Sequence, residues 1–201
     1  AVDRAVALLG LGDAAVERVP VDDQGRLIAS ELPSLDDRCL VILQAGNVNS
    51  GSFDPFASVC SVAREAGAWV HVDGAFGLWA AAVPGMRHRV AGIEQADSWA
   101  TDAHKWLNVP YDSGVAITRH ASALKAAMAI TADYLPTDTE HRNPADYTPE
   151  LSRRARGVRY LGASQWDLFR AGIRRSGARL WGLVPEAAPT QSLLQTTREQ
   201  R

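Results

Sequence analysis

Trp69-Val70-His71-Val72-Asp73-Gly74-Ala75, with Ser98-Trp99-Ala100-Thr101-Asp102-Ala103-His104-Lys105-Trp106 placing Lys105 thirty-two residues after Asp73, decides how this chain is read. Trp69 to Asp73 is short, apolar and β-branched, and it ends in a carboxylate, which predicts a buried strand. Ser98 to Thr101 predicts a second strand that stops just before Asp102-Ala103-His104-Lys105. Asp73 and Lys105 thus both fall at the carboxyl ends of strands, the edge of an open α/β sheet where ligands bind. A lone lysine after a histidine is most often a solvated surface group. A lone aspartate ending an apolar run is most often a cap or a turn. In this order and setting they are a nucleophilic amine and a buried carboxylate.

The neighbouring sequence extends the same pattern. Leu40 to Ala45 predicts a buried strand, Gly46 to Ser52 a polar loop, and Pro55 to Gly67 a helix with Phe56, Val59, Val62 and Ala63 on one face. Strand, loop, helix and strand in that order form a crossover unit. The expected fold class is therefore α/β, with a mostly parallel sheet and flanking helices. Ser113 to Thr118 predicts another strand and Ala121 to Ile130 another helix. Near the start, Ala1 to Leu9 predicts a helix stopped by Gly10 or Gly12, Val16 to Val21 a strand, and Ser30 to Leu35 a short helix. Asp133 to Pro149 is polar and proline-bearing and carries Tyr134 and Tyr147. A loop of that length in a compact enzyme is often functional.

Composition narrows the classes. Of 201 residues 46% are apolar and 22% charged, as in a globular chain rather than a disordered one. A formal net charge of -2 offers no basic footprint for nucleic acid. No apolar run is long enough to span a bilayer, so neither a membrane nor a nucleic acid is an expected partner. Cys39 and Cys60 lack metal or disulfide-framework spacing and read as free thiols in a reducing, cytoplasmic compartment.

Together, the amine and the carboxylate supply what pyridoxal 5'-phosphate needs from a protein. The lysine forms a Schiff base with its aldehyde, and the carboxylate pairs with its pyridine nitrogen. Three ordered blocks, Ala45 to Pro55, His71 to Gly77 and Ser98 to Gly114, resemble the group II pyridoxal-phosphate-dependent amino-acid decarboxylases, a branch of the aspartate-aminotransferase fold (fold type I). The likeness covers residues 1 to 157, read as a partial cofactor-binding large domain. Residues 158 to 201 read as a divergent basic tail, helical from Ser164 and then loose. The resemblance implies a carboxy-lyase acting on an amino acid, and a homodimer in full-length members. It also implies that a cofactor-stacking histidine and a phosphate-binding loop lie upstream of Ala1, so that this chain alone has little activity. A catalytically inactive remnant, or another fold type I enzyme such as an aldehyde-lyase or aminotransferase, stays open, because fold and cofactor do not fix the reaction.

Roles follow from residue type and place. Lys105 is the expected catalytic amine. It has to be deprotonated to react, so burial and nearby positive charge are expected around it. Asp73 is the expected partner of the pyridine nitrogen, and Ala75 is small enough to lie under the ring. His104, Ser98 and Thr101 are candidates for the phosphate, whereas Asp102, itself anionic, reads as a cap. Asn49 and Asn47 are candidates for the cofactor's phenolic oxygen or the substrate, with turn formation as the alternative. His71 shares a strand face with Asp73. That permits a hydrogen bond orienting Asp73, or a metal site of His71, Asp73 and His104. No metal is expected, since such a site leaves Lys105 unexplained. Arg156, with Arg153 and Arg154, suits a substrate carboxylate. Tyr134 or Tyr147 is the candidate proton donor that the family carries on a loop.

Overall fold

The computed structural model describes residues 1–130, 143–152 and 154. Its centre is a four-stranded sheet in the order β1 (Leu40–Gln44), β2 (Trp69–Asp73), β3 (Ser98–Asp102) and β4 (Gly114–Thr118). β1, β2 and β3 run parallel, and β4 is antiparallel to β3. This is the mostly parallel α/β arrangement that the crossover unit predicts.

The period-two alternation of the strands decides which face is covered. Val41 and Leu43 on β1 and Val70 and Val72 on β2 are buried, while Ile42, Gln44, His71 and Asp73 on the opposite face are half-buried. α2 (Phe56–Glu65) connects β1 to β2 and lays Phe56, Val59, Cys60 and Ala63 into the core. Each fully buried large apolar side chain there contributes about 1.5–3 kcal/mol. The connection from β2 to β3 is instead a series of 3-10 turns, Leu78–Ala82, Pro84–Val90 and Ile93–Gln95. Gly92 (φ 88°) breaks that series where the chain crosses α2, and a Cβ on it would stand 2.5 Å from Ala57 Cα.

Two predicted elements differ. Val16 to Val21 forms no strand. Only Val21 bridges Leu27, because no neighbouring strand is there to pair with the rest. Ser30 to Leu35 is reduced to one 3-10 turn, Ala29–Glu31, ended by Leu32 in extended conformation just before Pro33. Among the described residues the other predicted helices form, including α1 (Val2–Leu8) and α3 (Ala121–Met128), whereas the helix expected from Ser164 lies outside them. A Lys125–Asp146 ion pair of 2.8 Å holds the turn Pro144–Tyr147 against α3. The predicted boundary between residues 157 and 158 lies outside the described residues. Among the described residues no helix is long and apolar enough to cross a membrane.

The Asp54 carboxylate accepts from the amides of Leu27 (2.8 Å) and Gln44 (2.6 Å), tying the N-terminal segment to the end of β1. Burial raises its pKa above the ordinary value, against those two hydrogen bonds.

Both thiols are free. Burial, with the carboxylates of Asp97 and Glu94 in support, pushes the Cys60 thiol up to about 11, whereas Cys39 is only partly covered. Since the thiolate is the reactive form, iodoacetamide at pH 8 is expected to modify Cys39 and spare Cys60 in the native chain. Mass spectrometry of the peptides checks this, and equal labelling of the two would contradict the burial of Cys60.

Candidate active site

Parallel pairing brings the ends of β2 and β3 to one edge, with Asp73 opposite Ala100. The ladder continues past Asp73. The Gly74 amide donates to Ala100 O (2.8 Å), and Thr101 Oγ1 donates to Gly74 O (2.9 Å). Gly74, Ala75 and Phe76 are thereby fixed beside β3. After Asp102 the chain turns, with the Lys105 amide donating to Asp102 O (3.3 Å). Lys105 Nζ then sits 4.0 Å from the centroid of the Phe76 ring and 2.9 Å from Asp102 Oδ2. The first contact is a cation–π arrangement. Lys105, nominated from β3, thus lies against the segment that leaves Asp73, nominated from β2.

Asp73 Oδ1 accepts from the Ala75 amide (3.1 Å), and the carboxylate accepts no other hydrogen bond among the described residues. One oxygen is left for a ligand. Ala75, half-buried, follows directly. His104 Nδ1 lies 3.0 Å from Ser113 N and 3.1 Å from Ser113 O. Ser113 O already accepts from Ala103 N (2.8 Å), so the buried Ser113 N–H is the partner that needs Nδ1. This assigns the His104 proton to Nε2, which stands 4.0 Å from Asp102 Oδ2. Tyr111 meets the His104 ring edge-on at 4.5 Å.

Several nominated residues make other contacts within the chain. Ser98 is the first residue of β3, at the end away from Lys105. Its hydroxyl is engaged by Trp69 Nε1 (2.8 Å) and His71 Nδ1 (2.8 Å) rather than facing a phosphate. Thr101 is buried, and its hydroxyl is spent on Gly74 O. Asn49 is exposed on the loop after β1. It is Asn47 that organises that loop, accepting from the amides of Asn49 (2.9 Å) and Ser50 (3.3 Å). His71 bonds Ser98 and not Asp73. The group beside Lys105 is the Asp102 carboxylate, not the positive charge expected there. Among the described residues no group of three or more His, Cys, Asp and Glu is arranged to hold a metal ion.

Tyr134, Arg153 and Arg156 lie outside the described residues. Arg154 pairs with Asp112 at 3.5 Å, which brings the start of the arginine-rich segment to the loop that follows Lys105. Sequence reasoning missed Phe76, Ser113 and the Asp102–Lys105 pair. The last had a signal, since carboxylate and ammonium three apart meet on a helical turn. Phe76 and Ser113 had none.

The chain matches the model of the pyridoxal-dependent decarboxylase conserved domain over residues 1–175. The chain belongs to the pyridoxal-dependent decarboxylase family. The match runs past Gly157, where the resemblance was expected to stop. An L-aspartate decarboxylase of Metarhizium robertsii is 31% identical over 183 residues, 83% of this chain and 36% of that protein. An aromatic-L-amino-acid decarboxylase of Bacillus atrophaeus is 31% identical over 170 residues, 79% of this chain and 35% of that protein. A tyrosine/DOPA decarboxylase of Papaver somniferum is 37% identical over 118 residues, 57% of this chain and 22% of that protein. The chain therefore spans 22% to 36% of the length of these three relatives.

The fold agrees. A crystal structure of mouse CSAD superposes with a TM-score of 0.71 at 26% identity, covering 84% of this chain and 38% of that one. Oryza sativa TDC with PLP and tryptamine superposes with a TM-score of 0.70 at 25% identity, covering 86% and 37%. This family member has the large-domain fold of the fold type I enzymes, and pyridoxal phosphate is the cofactor of its family.

Proposed function

We propose that this chain is the cofactor-holding part of an amino-acid decarboxylase, with Lys105 as the covalent anchor and Asp73 as the partner of the pyridine nitrogen. The observation that carries this reading is the convergence of the Lys105 amine and the Asp73-Gly74-Ala75 segment on Phe76. The donor set fits the group: a lysine amine, a carboxylate oxygen without a protein partner, a small residue beside it, and an imidazole N–H. Pyridoxal phosphate, when bound, supplies an electron sink for the electron pair left by departing CO2.

The residues serve that chemistry in distinct ways. Asp73 keeps a proton at the ring nitrogen through its open oxygen, which maintains the positive charge that draws electrons. Asp102 Oδ2, 2.9 Å from Lys105 Nζ, holds the nucleophilic side chain in place beside Phe76. His104 offers its Nε2 proton to an anionic group at the same edge. Arg156 as the substrate-carboxylate partner and Tyr134 as the proton donor are proposed from the resemblance alone. A homodimer and a cytoplasmic setting belong to the same proposal, supported by the exposed Trp106 and Tyr111 at the site's rim and by two free thiols.

Incubation with pyridoxal phosphate, borohydride reduction and peptide mapping tests the reading. The chain has two lysines, Lys105 and Lys125. The pyridoxyl label is expected on Lys105 and is expected to vanish in Lys105→Ala. Label on Lys125 with Lys105 untouched would overturn the assignment.

A further inference from the structure

The half-open face of β2 carries a hydrogen-bonded chain that the proposed cofactor contacts do not use: Trp69 Nε1 to Ser98 Oγ, and Ser98 Oγ to His71 Nδ1, both 2.8 Å. Parallel pairing creates it by setting His71 opposite Ser98. An indole N–H can only donate, so the Trp69 bond has one possible direction. Ser98 Oγ therefore accepts from Trp69 and keeps its own hydrogen to place. Among the described residues His71 Nδ1 is the one acceptor within reach of that hydrogen. The O–H thus donates to Nδ1, and a neutral His71 carries its proton on Nε2. The reverse arrangement, with Nδ1–H donating, would leave a half-buried hydroxyl hydrogen without a partner.

We propose that His71 is a positioning residue, fixed by the Trp69–Ser98 pair as its neutral Nε2–H tautomer so that no cation stands beside Asp73. Its functional consequence rests on the reading of Asp73 given above. A protonated His71, two residues away on the same face, would compete with the ring nitrogen for the carboxylate. Ser98 opposes this, since protonation at Nδ1 destroys the O–H···N bond. Burial acts in the same direction and lowers the pKa of His71, while the Asp73 charge raises it in part. The other charged groups nearby are already engaged. Asp97 accepts from the Val70 amide (2.8 Å) and faces His120 Nε2 (2.9 Å), whose ring packs on Trp69. Asp102 faces Lys105.

The experiment is nitrogen-15 NMR of the full chain labelled at histidine, titrated with pH, for wild type, Ser98→Ala and Ser98→Thr. The expected wild-type spectrum shows His71 with an unprotonated Nδ1 and a protonated Nε2. In Ser98→Ala the His71 titration midpoint is expected to rise by roughly one pH unit, the equivalent of one net hydrogen bond. Ser98→Thr retains the hydroxyl and should titrate as wild type. A protonated Nδ1 in the neutral wild-type ring, or a Ser98→Ala midpoint equal to wild type, would overturn the proposal. Neither readout needs the cofactor, so failure of the Asp73 reading shows separately, as turnover of the complete enzyme close to wild type on Asp73→Asn. With the cofactor added, Ser98→Ala is expected to lose it more readily as pH falls through the raised midpoint. Loss equal to wild type at every pH would overturn the link from His71 to Asp73.

Discussion

In a complete decarboxylase containing this chain, as proposed, replacing Asp73 by Asn is expected to cut turnover by about 10²–10³-fold while leaving the fold intact. That range is typical for removal of one preorganised electrostatic partner from an active site. The structural cost is small because Asp73 makes one hydrogen bond, from the Ala75 amide to Oδ1, and an asparagine oxygen can accept it equally well. What is lost is the charge. A neutral amide cannot hold a proton on a pyridine nitrogen, so the electron sink weakens even though the ring can still be seated. Covalent capture at Lys105 should persist, since the amine reaches its place through Phe76 and Asp102 and not through Asp73. CO2 release, borohydride labelling and far-ultraviolet circular dichroism on the same variant separate these effects. Turnover within a factor of about three of wild type would remove Asp73 from the mechanism.

The second large effect is on stability. Gly77→Ala is expected to destabilise the fold by about 3 kcal/mol, near the upper end of the range for overpacking. The backbone torsion is not the obstacle, as Gly77 has φ -102°. The obstacle is contact. An added Cβ would stand 2.6 Å from Ala45 C and O and 2.7 Å from Gly46 N. All three are backbone atoms at the end of β1, so no side chain can rotate away. Moving them would also disturb the hydrogen bond from the Gly77 amide to Ala45 O (2.9 Å). A loss of that size is a large share of the 5–15 kcal/mol that holds a typical domain together. Gly85→Ala is the control. Nothing lies within 4 Å of its added methyl, and its effect should stay below about 0.5 kcal/mol. Urea midpoints compare the two, and equal midpoints would show that β1 and the Gly77 segment are not packed as described.

How much of this the sequence held depends on the range of the interaction. The crossover unit was legible because it is written in local periods. The apolar, β-branched runs Leu40 to Gln44 and Trp69 to Asp73 predict the strands that form, and the face of Phe56, Val59, Val62 and Ala63 predicts α2, where Cys60 rather than the exposed Val62 joins the core. Lys105 and Asp73 could be nominated as a pair because residue type and strand ends suggest a chemistry without any contact being known. Val16 to Val21 alternates, yet it forms no strand, since a strand exists only where a partner supplies its hydrogen bonds.

The hydroxyls and histidines show where such reading stops. Ser98 and Thr101 lie within seven residues of Lys105 in sequence, but chain distance does not say which group a hydroxyl meets. The register of β3 against β2 decides it, giving Ser98 to Trp69 and His71, and Thr101 to Gly74. Likewise the partner of Lys105 is fixed by the turn after β3 and by Phe76 arriving from another strand. The sequence by itself determined the fold class and nominated the two groups proposed as reactive, because both follow from local pattern and side-chain chemistry. Tertiary structure alone decided which polar atoms face one another, because hydrogen bonds and ion pairs are chosen by ångström-scale contacts between segments far apart in the chain.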